Sequence, residues 1–163
     1  LGTYYHYFRY RLKYALKHGV IYTNKRGNNE AIIVFPNNFK RIDSDVFANL
    51  GNKCIYIFSG KGGEISRSET FDDYSRHHLI YKPSDRYWYI HDVALDPEHP
   101  ELNDRLFTIL NNFANKNKLK IYVDDVYDYG KVYQRNGYKK VMTETIDYAK
   151  IPHTLYLRKP KRR

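Results

Sequence analysis

Two residues able to move protons, His91 and Asp92, stand side by side in the apolar segment YWYIHDVAL (87–95). An imidazole titrates near neutrality and suits acid–base work. A carboxylate there needs burial to raise its pKa before it can act as a base. Directly afterwards, DVALDPEHPELNDRLFTIL (92–110) runs from a strand through a turn into a helix, the layout of a phosphate-binding loop. Such loops use glycine for close approach and left-handed backbone angles, yet no glycine lies between Asp92 and Leu110. The glycine-rich SGKGGE (59–64) lacks the Gly-x4-Gly-Lys-Ser/Thr spacing of a nucleotide loop and reads as a flexible surface loop. No Cys and His set has zinc-binding spacing, so no metal site is expected. No Ser-His-Asp order stands above chance.

The elements that must position these residues follow from hydrophobic period. Tyr5, Phe8, Leu12 and Ala15/Leu16 recur at helical spacing, with Gly19 as the stop. VIYT (20–23) and AIIVF (31–35) read as an antiparallel hairpin across the turn-rich NKRGNNE. Ser44 is placed to cap a short helix carrying Val46, Phe47 and Leu50, and CIYIF (54–58) fits either strand or buried helix. SETFDDYSRHH reads as helix. YWYIHDVAL is the best strand, with Tyr87, Tyr89, His91, Val93 and Leu95 on one face, which leaves His91 and Asp92 on opposite faces. Leu102, Leu106, Ile109, Leu110 and Phe113 form a helical stripe. Then come a strand in LKIYVDDV, a short helix in YDYGKVYQRN stopped by Gly137, a strand in YKKVMTET and a last strand in HTLYLRK. The plan is mixed α/β, with a βαβ unit at 87–126 that calls for a parallel, right-handed crossover.

Bulk properties narrow the setting. The 163 residues suit one domain with a real core. Hydrophobic content of 42% excludes disorder by composition. Net charge is +10, but five positive charges sit in the basic tail at 158–163, and the body carries 23 basic against 18 acidic residues. That tail reads first as a solvated terminus and only second as a nucleic-acid contact. Cys54 is the single cysteine, so no intrachain disulfide forms and nothing points to secretion. No apolar run approaches the roughly 18 residues of a membrane span. A soluble, cytoplasmic protein without membrane contact is expected.

Taken in order, these segments resemble the GNAT N-acetyltransferases. YWYIHDVALDPE looks like that family's central strand, KVYQRNGYKKV like its closing helix and strand, EAIIVFP like its hairpin strand, and IPHTLYLRKP like the last strand of one branch. The resemblance covers residues 5–36 and 77–160, while 37–76 match poorly. The family's first strand and helix would precede Tyr4; their absence would leave a sheet edge that invites pairing, so a homodimer is an expectation.

The resemblance implies a central, mostly antiparallel twisted sheet with a splayed parallel βαβ unit and flanking helices. The pantetheine arm of acetyl-CoA would enter the splay and hydrogen-bond the main chain at Val93, Ala94 and Leu95. The pyrophosphate would rest on the next helix N-terminus, where free N–H groups and the dipole favour an anion. Asn103, Asp104, Arg105 and Leu106 are the candidates there. The family's Gln/Arg-x-x-Gly-x-Gly/Ala pattern falls on Pro100, Asn103 and Arg105 and matches none of them, so the loop is degenerate. Tyr133 matches the family's general acid, which protonates the departing thiolate. His91 or Asp92 would assist deprotonation, at most one of them facing substrate. His77 and His78 would line the acceptor pocket singly rather than as a pair. The leading expectation is an N-acetyltransferase that acts on a primary amine of a small molecule or peptide. The alternative is a non-catalytic binding module that has lost the cofactor.

Overall fold

The computed structural model describes residues 9, 12–23, 30–36, 86–125, 128–146 and 151–161. The expected helix after Ser44, CIYIF, SGKGGE, and SETFDDYSRHH with His77 and His78 lie outside those residues. The chain divides into two compact units, residues 1–18 with 38–83 and residues 19–37 with 84–163. The segment that departs from the GNAT pattern falls almost wholly in the first unit. There, helix α1 covers 12–18. Ala15 is buried as its spacing predicts, but Leu12 and Leu16 face outward and Tyr14 takes the inward position. Its ring meets His18 one turn on, at 4.6 Å between centroids.

The second unit is a six-stranded sheet. β1 (Val20–Thr23) and β2 (Ala31–Pro36) form the predicted hairpin, Val20 opposite Val34 and Thr23 opposite Ala31. β3 (Tyr87–Ala94) pairs antiparallel with β2 and parallel with β4 (Lys120–Asp125). β5 (Lys139–Ile146) and β6 (Ile151–Arg158) are antiparallel, and β6 is the one that lies against β4. The order is β1-β2-β3-β4-β6-β5, with one parallel pair among antiparallel ones. This mixed sheet has the mostly antiparallel, GNAT-like plan.

Register assigns the faces. Ile32, Val34, Trp88, Ile90, Ile121, Val123 and Tyr156 share one face and build the core with helix α2 (Pro100–Lys116), which returns from β3 to β4. The opposite face carries Phe35, Tyr87, Tyr89, Tyr122 and Leu155.

The predicted stripe on α2 holds at Leu106 and Leu110 and fails at Ile109 and Phe113, which are exposed. The inward positions are Asn103, Leu106, Phe107, Leu110, Asn111 and Ala114. Hydrophobic spacing misses the two asparagines because each faces inward to bond. Asn111 Oδ1 accepts from the Tyr138 hydroxyl at 3.1 Å, and its Nδ2 donates to the Asn136 carbonyl at 3.1 Å. Phe113 still stacks on Trp88 across the helix edge, 4.6 Å between centroids.

Helix ends follow local chemistry. Pro100 opens α2, and Lys116 sits at its negative C-terminal pole. Helix α3 (Gly130–Arg135) stops where the sequence predicts: Gly137 takes φ 86°, and the Tyr138 N–H reaches back to the Tyr133 carbonyl at 3.0 Å. α2 closes by the same wrap, Leu119 N–H to Ala114 carbonyl at 2.9 Å, but with Lys118 at φ 55° in the glycine position.

Candidate active site at the parting of two strands

β3 and β4 are paired only from Tyr87 opposite Lys120 to Ile90 opposite Val123. β3 runs on to Ala94 and β4 to Asp125, so beyond that rung the two strands go separate ways. The cause lies on the other edge of β3. Val34 opposes Ile90 while Ile33 opposes Asp92, leaving His91 as an extra residue, a β-bulge. A bulge bends its strand and increases local twist. Here it falls one residue past the last rung with β4, where the β3–β4 ladder ends.

The bulge also overturns the alternation expected of this strand. His91 packs edge-on against Phe35 at 5.5 Å and Tyr89 at 6.1 Å, which puts it on the face away from α2. Asp92, opposite Ile33, shares that face. His91 Nδ1 and Asp92 Oδ2 lie 3.1 Å apart, so the two side chains are partners rather than residents of opposite faces. Val93 returns to the core face, and Ala94 is exposed. Past Ile90 the ladder between β3 and β4 does not continue.

The opposite wall is the end of β4. Asp124 points away from α2, where His153 of β6 meets it at 3.4 Å between Nδ1 and Oδ2; both side chains are buried, 7% and 6% exposed. Asp125 is buried on the other face, beside Tyr133 and Tyr156. Tyr133 stands in α3 with its ring 5.3 Å from Tyr156, 6.0 Å from Tyr138 and 5.8 Å from Phe107. Burial, with Asp125 and then the neighbouring tyrosines and Asp124 adding to it, drives its hydroxyl pKa well above the usual tyrosine value. Burial together with Asp125 and Asp128 raises Tyr156 as well. Both phenols therefore keep their protons. Gly130 is required at the start of α3 because a Cβ there would overlap the Tyr156 hydroxyl.

The turn from β3 into α2 manages without glycine because it uses no left-handed residue. Among the described residues, positive φ occurs only at Lys118, Asp128 and Gly137. Asn103 replaces it with a brace: its Oδ1 accepts from Asp96 N–H at 3.1 Å, and its Nδ2 donates to the Asp96 carbonyl at 2.8 Å. The Asp96 carboxylate in turn accepts from Glu98 N–H at 2.8 Å. The Asn103 side chain is thus a loop support and that of Leu106 a core residue. Asp104 Oδ1 accepts from Arg135 Nε and Nη2 and from Asn136 Nδ2, at 3.1, 2.9 and 2.8 Å. Its charge is answered from α3, which lessens its repulsion of an anion. Arg105 is exposed. The first turn has fewer free donors than an ordinary helix start: Pro100 has no N–H, and the Leu102 N–H bonds the His99 carbonyl at 3.1 Å.

The fold thus brings His91, Asp92 and the main chain of 93–94 to one wall of the gap, and the α3 tyrosine to the side where β4 ends. Asp124, Asp125 and His153 escaped the sequence reading. Their signals were the acidic pair closing KIYVDD and a histidine at a core-type position of IPHTLYLR. Among the described residues no cluster of three or more His, Cys, Asp or Glu is placed to hold a metal, and no helix is long and apolar enough to cross a membrane.

A parallel pair whose ladder ends early, a helix starting from one strand and a tyrosine on the closing helix are the features of the arrangement that the GNAT resemblance implies. Among solved structures, an agmatine N-acetyltransferase mutant in its apo form is similar to this chain with a TM-score of 0.49 and 14% identity, over 83% of this chain and 72% of that one. No family model matches the chain, and no curated protein does.

Proposed function

We propose that this protein is an acyl-CoA-dependent N-acetyltransferase that passes an acetyl group from acetyl-CoA to a primary amine by direct attack. The observation that supports this is the end of the β3–β4 ladder at Ile90 and Val123 while β3 runs on to Ala94. A pantetheine arm offers amide groups at strand-like spacing, and the main chain of Val93, Ala94 and Leu95 would pair with it as a further strand. The first turn of α2, with Arg105 and the dipole, would take the pyrophosphate. His91 or Asp92 would relieve the amine of a proton. Tyr133, kept protonated by burial and by Asp125, would hand its proton to the departing thiolate.

A second reading has an observation of its own. The α2 first turn has lost donors at Pro100 and Leu102, and Asn103 serves the loop. A module that keeps the fold without the cofactor would have no need of them. Calorimetry with CoA, followed by thiol release from acetyl-CoA in the presence of primary amines, separates the two. Binding with turnover supports the enzyme; absence of both supports the module.

A further inference from the structure

We propose that His153, held by Asp124, is a second base of the reaction, and that the acceptor enters as a primary alkylammonium between this pair and His91–Asp92. The inference rests on the acetyltransferase reading above.

Two observations carry it. On the face away from α2, β3 bears the His91–Asp92 pair, and β4 bears Asp124, which holds His153 of β6 from behind; His91 and Asp124 each lie one residue past the last shared rung. That rung on this face is Tyr89 opposite Tyr122, so aromatic rings close the narrow end. Carboxylates on both sides and phenol rings beneath suit an ammonium group. The His91 and His153 side chains are 6% and 7% exposed. Burying such pairs carries a desolvation cost that apolar residues would avoid, so their placement at the gap calls for a use. The groups facing His153 include Asp124 on β4 and Glu144 at the register position opposite on β5.

The chemistry needs two bases. An alkylammonium loses two protons from nitrogen on becoming an amide, while the thiolate gains one. The His91–Asp92 pair takes the first, freeing the lone pair. Nitrogen then bonds to the thioester carbon, the carbon–sulfur bond breaks, and sulfur takes the Tyr133 proton. His153 takes the second proton from nitrogen. One of the two re-protonates Tyr133 and the other leaves to solvent. Ammonium and thioester give amide, thiol and one released proton. Asp124 is a positioning residue, orienting the ring and stabilising its cation.

The test measures kcat/KM against pH for wild type, His153→Gln, Asp124→Asn and His91→Gln, with acetyl-CoA and n-butylamine. Wild type is expected to lose rate on the acid side with a slope near two, and each histidine variant with a slope near one. kcat should fall on the order of 10²-fold in the histidine variants, with CoA affinity unchanged by calorimetry. Asp124→Asn should lower kcat while the KM for n-butylamine stays near wild type. His153→Gln that keeps kcat within twofold and the wild-type limb overturns the proposal. A folding defect in the variants is bypassed by NMR on wild type, where n-butylammonium should move the His91 and His153 imidazole signals; both unmoved overturns it as well. Wild type that binds no CoA sinks the parent reading, whereas CoA binding and turnover indifferent to His153 sinks this inference alone.

Discussion

Substituting Phe for Tyr133 removes one oxygen from a ring that Phe107, Tyr138 and Tyr156 already hold, so the expected loss is chemical rather than structural. kcat should fall on the order of 10²-fold while the melting temperature and CoA affinity stay near wild type. A Tyr133→Phe protein as fast as wild type would remove this residue from the mechanism. Asn103 gives the opposite signature. Asn103→Ala leaves the Asp96 N–H and carbonyl without their partner in a buried turn, at a cost on the order of 2 kcal/mol in urea unfolding. Weaker CoA binding should accompany it, because the brace sets where α2 begins. The place of Tyr133 in the closing helix was legible from the Gly137 stop. The role of Asn103 was not, since an inward asparagine is invisible to hydrophobic spacing.

At the level of elements, the two helix ends make a matched comparison. α2 and α3 close with the same backward wrap, but α2 does it with Lys118 at φ 55° and α3 with Gly137 at φ 86°. A Cβ in the left-handed region is strained. Lys118→Gly should therefore stabilise the protein by roughly 0.5–1 kcal/mol, and Gly137→Ala should destabilise it by about 1 kcal/mol. Denaturant titrations of the pair would check both signs, and a Lys118→Gly protein no more stable than wild type would show that its side chain compensates. Element identity was largely readable, because period 2, period 3.6 and turn residues are local properties. The α2 stripe was read partly on the wrong side, since Phe107 and Ala114 were passed over for Ile109 and Phe113.

For the molecule as a whole, buried tyrosines tie stability to alkaline pH. Tyr133 and Tyr138 both have pKa values raised by burial, and Tyr22 and Tyr156 are raised too. The folded state favours the neutral phenol, so this stabilisation is complete below the ordinary tyrosine pKa of about 10 and is lost as pH climbs toward the folded values. The urea midpoint should fall above pH 10, and Tyr138→Phe should flatten that fall. Its phenol donates only to Asn111, so the variant also loses one hydrogen bond at every pH. An equally steep fall in the variant would assign the alkaline loss to other groups.

The amino-acid order by itself determined the succession of strands and helices, the parallel βαβ unit, the stop at Gly137 and the carriage of Tyr133 in the closing helix. These depend on neighbours a few residues away, so a linear reading reaches them. Only the tertiary structure decided the site. Alternation along YWYIHDVAL presumes an even ladder, and the extra residue at His91 exists because β2 pairs with it unevenly. That one displacement puts His91 and Asp92 on a common face, just past the end of the β3–β4 ladder. Asp124 and His153 meet because β6, the last strand, inserts between β4 and β5. Strand insertion and uneven pairing are decided between segments far apart in sequence, where local period carries no information.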